Sequence, residues 1–350
     1  MLSRRRDVLR LLLLALTTVV ATMAVAQACS VAPPGSPPPA ASVVPGPGPA
    51  RDVYAQPFSW DSIWNLPLAT TAQYRPFNAE IGRLYPDVEN ISVDPDAPVK
   101  QLDADPGGPV HVDPDLSANG KFNNCSTLLL DTPDNETVIQ GQPMKLSPGD
   151  DPSWKYGFAP LPLTGQGIEG CHGGSGLSGL GGDIRQGELP GTAPIRHALK
   201  FSLPCTTSCS TAHGGFRWPA VKADSGYQGR YGGDNPEVTM GALLALPPDT
   251  DLSGITEPDT RKVAEALKAY GGYVVDESGG APSGSFDVQS TAVNEFPDID
   301  SDQMRGIVNQ LSVVTNNGPD TPGGGALHTP RVAACAGPFN DGTGGAPPGC

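Results

Sequence analysis

The segment from Glu169 to Arg230 has the residue types and spacing that are most suggestive of chemistry. It begins with a glycine-rich stretch, in which seven of the residues from 169 to 182 are glycine. Glycine is needed where a backbone takes a positive φ or approaches another group closely, so we expect a loop that folds over a neighbouring element. Ionisable residues lie within this loop and after it. The candidate catalytic residues are His172, Asp183, Arg185, Glu188 and His197.

Residues 195–201 follow the loop and alternate in hydrophobicity, which predicts a strand with His197 on its apolar face. Such a histidine is either a hydrogen-bonded core residue or one that lines an interior cleft, where its pKa suits proton transfer near neutral pH. We expect His172, within the loop, to be the more accessible histidine. If the loop closes over this strand, the candidate residues converge around a groove.

Charge and aromatic residues indicate what such a groove would bind. Residues 183–230 contain six basic and three acidic residues, in a chain with a net charge of -15. This local excess could bind an anionic group, although the same residues could simply pair with acidic neighbours at the surface. Tryptophan and tyrosine beside polar groups suit sugar rings, although most aromatic residues could equally pack in the core. The candidate substrate-binding residues are Arg196, Lys200, Trp218, Tyr227 and Tyr231.

These residues favour an exported, cell-surface, carbohydrate-active enzyme with a polysaccharide as its partner. A hydrolase would use paired carboxylates, Glu188 with either Asp183 or Glu169. A lyase acting on an anionic glycan would need a cation beside the substrate carboxylate, a base and an acid. The cation would be Arg185 or Arg196, and the base would be His197 or His172. The acid would be Tyr227 or Tyr231. The alternative is a non-catalytic surface lipoprotein that binds glycan or peptidoglycan.

Other classes of function are disfavoured by composition and motifs. The acidic charge argues against a nucleic-acid partner. Neither Ser175 nor Ser178 lies in the Gly-x-Ser-x-Gly frame of a nucleophile elbow. No Gly-Lys-Ser/Thr follows the glycines, and they do not follow a predicted strand, as phosphate-binding and dinucleotide-binding loops require.

Seven cysteines make an odd number, and setting Cys29 aside leaves six that can pair completely. From proximity and elimination we expect the disulfides Cys125–Cys171, Cys205–Cys209 and Cys335–Cys350. The four-residue spacing of Cys205, Cys209 and His213 also suits zinc ligands on a helix, but the serine and threonine content of this segment favours a disulfide-closed loop. No resident metal site is predicted.

Calcium is kept as a candidate cofactor. Oxygen-bearing side chains alternate in residues 113–119 and again in residues 298–302, as they do in calcium loops. Neither run has the glycine or the downstream glutamate of an EF-hand loop, which favours solvated acidic turns.

The N-terminus predicts export. Arginines precede an apolar run at residues 11–25, and Ala26-Gln27-Ala28 is a small-x-small cleavage pattern, so residues 1–28 are expected to be a signal peptide. The segment around Arg5-Arg6 resembles a twin-arginine export signal. Cys29 follows the cleavage pattern, where bacterial lipoproteins are lipidated, and eight prolines in residues 30–50 predict an extended tether over residues 29–50. We therefore expect a lipid anchor on Cys29 in a bacterial periplasm or at the outer surface.

Residues 51–350 are expected to form one β-rich domain. Short apolar segments bounded by glycine, proline or asparagine predict a mainly-β fold with a β-sandwich or jelly-roll-like core and a small α/β addition of two short helices. The predicted helices are Pro258–Tyr270 and Asp302–Leu311. The predicted strands are Ser126–Leu130, Thr137–Gln140, Ile195–Leu203, Phe216–Val221, Ala242–Leu246, Gly272–Asp276 and Leu311–Val314.

Overall fold

Fourteen strands, two α-helices and a few short 3-10 helices make up the regular structure of the described residues, in a computed structural model that describes residues 47–121, 125–296, 301–326, 329–332 and 335–346. The strands are β1 (Tyr74–Pro76), β2 (Arg83–Ser92), β3 (Val99–Leu102), β4 (Gly108–His111), β5 (Ala118–Asn119), β6 (Ser126–Leu130), β7 (Thr137–Leu146), β8 (Ser153–Gly157), β9 (Leu161–Pro162), β10 (Leu199–Leu203), β11 (Leu243–Ala245), β12 (Gly272–Glu277), β13 (Ser283–Gln289) and β14 (Ser312–Val314). The helices are α1 (Pro258–Ala269) and α2 (Ser301–Val308). The prediction of a mainly-β fold with a small helical addition is confirmed.

All strands belong to one mixed sheet with the order β1-β14-β11-β12-β10-β13-β2-β6-β4-β3, and β7 adds β5, β8 and β9 beside β6. The long strand β2 links the two halves of this sheet. Its first part pairs with β13 in parallel, from Arg83 beside Ser283 to Glu89 beside Gln289, and its end pairs with β6 in parallel. Strands β10, β13 and β2 are therefore consecutive neighbours near the middle of the sheet.

Strand β10 is buried on both faces. Leu199, Phe201 and Leu203 alternate onto one face and pack in a core that includes residues of α1 and α2. Lys200 and Ser202 therefore point to the opposite face, since successive side chains of a strand alternate. The glycine-rich loop covers that face: a Cβ at Gly182 would meet Cγ of Lys200 at 2.7 Å. The loop thus closes over β10, as expected.

Helix α1 begins and ends near the predicted residues. Glu257 caps it by accepting hydrogen bonds from the backbone N–H groups of Asp259 and Thr260. Gly271 follows with a φ of 75°, a conformation that glycine adopts without strain, and it redirects the chain into β12. Helix α2 ends three residues earlier than predicted, at Val308.

Two strand predictions fail in part. Residues 195–198 lie outside β10, which begins at Leu199, and residues 216–221 form no strand beyond a single bridge from Phe216 to Met240. Pro219 lacks the N–H that a sheet ladder requires, which accounts for the second failure.

Two of the expected disulfides are present. Cys125 and Cys171 are bonded with Cα atoms 5.3 Å apart, and Cys205 and Cys209 with Cα atoms 4.3 Å apart. The second bond engages both sulfurs and so excludes the zinc alternative. The Cys335–Cys350 prediction falls on Cys350, which lies outside the described residues. Disulfides indicate an oxidising environment. Within the described ranges, no helix combines the length and hydrophobicity needed to cross a membrane.

Candidate functional site

A buried cluster of ionisable groups surrounds Lys200. The lysine side chain has 0% exposed surface, and its ammonium lies 3.0 Å from Oδ2 of Asp183 and 3.6 Å from Oδ2 of Asp287. The ammonium also donates to Nε2 of His172 at 2.8 Å and to the carbonyl of Ser178 at 3.2 Å. The ammonium thus lies at the centre of the cluster.

Three neighbouring strands and the glycine-rich loop bring this cluster together. Lys200 comes from β10, Asp287 from β13 and Glu89 from β2, while the loop supplies His172 and Asp183 follows directly after it. All five residues are buried. His172 is only 3% exposed, so the expectation that it is the accessible histidine is wrong: the loop folds its imidazole inward onto Asp287, 3.3 Å from Nε2.

Burial and mutual charge shift the pKa values of the cluster. Burial raises the pKa of Glu89 and of Asp287 well above the ordinary carboxyl value. Burial likewise raises the pKa of Asp183, to about 6, although the charge of Lys200 opposes that shift. Burial and the adjacent ammonium hold the pKa of His172 well below its ordinary value. His172 is therefore neutral, and its Nε2 accepts the hydrogen bond from Lys200.

Three side chains of the cluster form a group of the metal-ligand type. One ligand atom each from Glu89, His172 and Asp287 lie within 4.8 Å of one another. Imidazole nitrogen and carboxylate oxygen are both common ligands of divalent metals.

A second cluster joins Arg185, Glu188 and His197. Nε2 of His197 donates to Glu188 Oε1 at 2.9 Å, and Nδ1 donates to the carbonyl of Ala198 at 2.9 Å. The backbone N–H of Arg185 donates to Oε2 of Glu188 at 2.6 Å, and Nε of Arg185 donates to Gln289 at 2.9 Å. Because both ring nitrogens of His197 donate to acceptors, the imidazole is protonated and neither nitrogen is left to take a proton from a substrate.

The Glu188–His197 pair makes stability depend on pH. Burial lowers the pKa of His197, but the carboxylate of Glu188 outweighs it and the net pKa is raised; burial raises the pKa of Glu188, but the His197 charge outweighs it and the net pKa is lowered. The histidine contribution is complete below its unfolded pKa of 6.5 and is lost as pH rises through the folded value. The glutamate contribution is complete above 4.5 and is lost as pH falls.

We therefore predict that Glu188→Gln costs about 2 kcal/mol in the window from about pH 4.5 to 6.5, and less on either side. Urea unfolding of both proteins across pH 3–9 measures this difference. Glu237→Gln is the control, because it breaks a pair with Arg217 at 2.7 Å, and an arginine does not titrate in this range. Its effect should not decline on the alkaline side. A Glu188→Gln cost that stays constant across the range would contradict the prediction.

A cleft of about 1090 Å³, including its open mouth, lies beside the second cluster. Arg185, Glu188 and Gln289 line it on one side, and Asp94 and Asp113 also contribute to its lining. A smaller pocket of about 270 Å³ adjoins and shares Arg185 with the cleft. Arg185 also donates through Nη2 to the carbonyl of Tyr54 at 3.3 Å, while its buried Nη1 has no hydrogen-bond partner among the described residues. A cationic donor is thus held between the two cavities.

The structure separates the remaining candidate residues. Lys200 has no exposed surface and cannot reach a polymer, so its expected substrate-binding position is corrected: the glycine loop covers it. Tyr231 is buried, and its hydroxyl donates to Asp224 at 2.6 Å. Trp218 and Tyr227 are half-buried against the hydrophobic core, and Arg196 lies at a different pocket. None of these five side chains lines the cleft at Arg185.

The expected hydrolase pair is not assembled in the cleft. Asp183 is sealed against Lys200, with no exposed side chain, and Glu169 does not line the cleft beside Glu188. Of the two acidic runs, the first has Asp113 accepting from the N–H of Asp115 in a local turn, which fits the favoured interpretation of an acidic turn, and in the second Asp298 and Asp300 lie outside the described residues.

Sequence reasoning missed Glu89 and Asp287. Both lie in segments, RLYPDVENIS and SGSFDVQ, whose prolines, glycines and acids conceal their strand character. The available signal was the alternation Phe286-Asp287-Val288, which places an acid between two apolar residues of a strand.

Comparison of this chain with protein-family models, with curated proteins and with solved structures gives no match. The description of this chain therefore rests on its own structure. It is a mainly-β, disulfide-bonded protein with a buried lysine–carboxylate cluster and an arginine-lined cleft.

Proposed function

We propose that this is an exported protein that binds an acidic polysaccharide in the cleft at Arg185. The observation that carries the proposal is the guanidinium itself. Its Nε and Nη2 are held by Gln289 and by the Tyr54 carbonyl, while its buried Nη1 lacks a hydrogen-bond partner in the part of the chain that the structure describes. An unpaired buried donor is costly. Arg185 is only partly buried and lines the cleft, so a rotation of its guanidinium would let the carboxylate of a uronic acid satisfy Nη1.

The lining of the cleft suits a sugar chain. Gln186 is exposed and lines the cleft, and its side-chain amide can donate to sugar hydroxyls and accept from them. The cleft opens to solvent, so a polymer can lie along it with one of its sugar rings beside Arg185.

Cleavage of the same polymer by lyase-type elimination is a second candidate function, and the position of Glu188 favours it. Its carboxylate lines the cleft and is fixed beside Arg185 by the 2.6 Å hydrogen bond from the Arg185 backbone. Glu188 would take the ring proton next to the uronate carboxylate. The electron pair would form a carbon–carbon double bond as the glycosidic C–O bond breaks, and the leaving oxygen would take a proton from water. His197 would position Glu188 rather than act as the base.

The test is binding to polygalacturonate and to its methyl-esterified, uncharged form, measured by calorimetry. Arg185→Gln should weaken binding of the charged polymer by about 10- to 100-fold, as expected for the loss of one charge-assisted hydrogen bond. The control is Arg83→Gln, about 26 Å from Ile91 of the cleft along β2.

Elimination is measured in the same samples from the ultraviolet absorbance of unsaturated sugar. Glu188→Gln should abolish this signal while binding persists. Equal affinity of Arg185→Gln and the unaltered protein, or equal affinity for the esterified polymer, would contradict the proposal.

Export to a bacterial periplasm or outer surface, with a lipid on Cys29, is part of the same proposal. It is supported by the disulfides, which form in oxidising compartments, and by the signal-like residues 1–28. Calcium remains a proposed cofactor of glycan binding, because Asp94 and Asp113 line the same cleft and carboxylate oxygens suit this ion. The calorimetry is therefore to be repeated with calcium and with a chelator.

A further inference from the structure

The geometry points to a binding site for one divalent transition-metal ion, of the zinc or manganese class, formed by Glu89, His172 and Asp287. This site lies in the Lys200 cluster and does not depend on glycan binding in the cleft. Nε2 of His172 and Oδ2 of Asp287 are 3.3 Å apart. Two ligands that bind the same ion at about 2.0–2.2 Å lie roughly 3.0–3.5 Å from each other, so this pair already has the required spacing.

Unpartnered oxygens face this position. Among the described residues, Oε2 of Glu89 and Oδ2 of Asp287 are buried and have no hydrogen-bond partner. Both residues are almost fully buried. Oδ2 of Asp287 lies near the Lys200 ammonium and Nε2 of His172, but neither contact is a hydrogen bond. A buried carboxylate oxygen without a donor has lost its hydration, and coordination of a cation would compensate that loss.

Charge balance points to the same ligand. The cluster holds three carboxylates, from Glu89, Asp183 and Asp287, and a single ammonium, from Lys200. If all three carboxyls ionise to bind an ion, their charges exceed that of the ammonium by two. One divalent cation would neutralise the cluster.

Lys200 occupies the region in which the ion would bind. Its ammonium donates to Nε2 of His172 at 2.8 Å, the atom that would coordinate the metal. The ammonium has other partners, however, at 3.0 Å on Asp183 and at 3.2 Å on the Ser178 carbonyl. Metal binding therefore requires Lys200 to release His172 while it keeps those two contacts.

The ligand set and its surroundings indicate the class of ion. One nitrogen and two carboxylate oxygens suit zinc or manganese, whereas calcium takes six to eight oxygens. The other nitrogen of His172, Nδ1, lies 3.9 Å from Oδ2 of Asp276, whose side chain is 27% exposed. Asp276 would orient the imidazole from outside, and its exposed edge offers a route for the ion.

The experiment measures metal content and metal-dependent stability of the purified full chain. After treatment with EDTA, the protein is dialysed separately against Zn²⁺, Mn²⁺ and Ca²⁺, and bound metal is counted by mass spectrometry. We expect one equivalent of Zn²⁺ or Mn²⁺ at the cluster, with a melting temperature that rises on addition of the ion, whereas any Ca²⁺ bound at the cleft should not depend on Glu89. Glu89→Gln should weaken binding at least 10-fold. Glu237→Gln, a half-buried carboxylate outside the cluster, should bind as the unaltered chain does.

If Glu89→Gln does not fold, Co²⁺ added to the unaltered chain tests whether the site binds a metal. Ligation by an imidazole and two carboxylates should give a visible absorption spectrum that EDTA abolishes. No metal uptake and an unchanged melting temperature in all three ions would overturn the inference. Uptake of metal that Glu89→Gln retains unchanged would overturn it as well. Neither outcome bears on Arg185 or on glycan binding.

Discussion

Replacing Lys200 with methionine should destabilise the metal-free fold by about 3–5 kcal/mol. Methionine keeps much of the aliphatic stem and removes the ammonium. Asp183, 3.0 Å away, and Asp287, 3.6 Å away, would then lose their cation within a fully buried site. Breaking one side of a buried ion pair is costly because the remaining charge keeps its desolvation penalty. Urea unfolding at pH 7 in the presence of EDTA measures the effect.

A double variant separates lost charge from lost packing. Adding Asp183→Asn to Lys200→Met removes the carboxylate that is closest to the ammonium, so the double variant should be more stable than Lys200→Met alone. A comparison with Lys262→Met supports the same distinction. Lys262 is also buried, but its ammonium donates to backbone carbonyls such as those of Glu188 and Gly191. Its loss should cost about 1–3 kcal/mol. A Lys200→Met variant that loses less than 1 kcal/mol would refute the prediction.

Removing the Cys125–Cys171 disulfide should cost about 4 kcal/mol, the second large effect. The bond closes a loop of 46 residues and lies directly against the glycine-rich loop, where a Cβ at Gly179 would meet Sγ of Cys125. In the unfolded chain this cross-link excludes many conformations. Its loss would also release the start of the loop that holds His172 in place.

The matched control is the Cys205–Cys209 disulfide, whose residues are only four apart. The same loop-closure argument gives about 2 kcal/mol for this bond. Serine double variants at each bond, compared by urea unfolding under non-reducing conditions, test both values. Equal losses for the two pairs, or a greater loss for the short loop, would contradict the argument.

Local sequence patterns predicted the strands and helices whose signals lie within their own residues. Strand β6 was predicted with its observed bounds, because Ser126–Leu130 is a short apolar run bounded by polar residues. Helix α1 was predicted to within one residue at each end, because its proline start, its apolar face and Gly271 all act locally. Such signals need no knowledge of distant partners.

Strands β2 and β13 were missed because distant pairing, rather than propensity, stabilises them. Each contains residues that strands disfavour, such as Pro86 in β2 and Gly284 in β13. The candidate site shows the same limit. The alternation in hydrophobicity around Lys200 correctly separated the two faces of β10. It does not show whether the polar face is exposed to solvent or covered by another segment. Only the tertiary fold shows that Gly182 lies against Lys200 and seals it.

The parallel pairing of β2 with β13 joins segments that are roughly 200 residues apart in the chain. A ribosome must therefore synthesise most of the polypeptide before Glu89 can meet Asp287. Until then β2 can pair only with β6 at its end, and Glu89 lacks its neighbour on β13. Closure of the sheet and assembly of the ionic centre are thus a single late event, and a chain that stops before Ser283 would have neither.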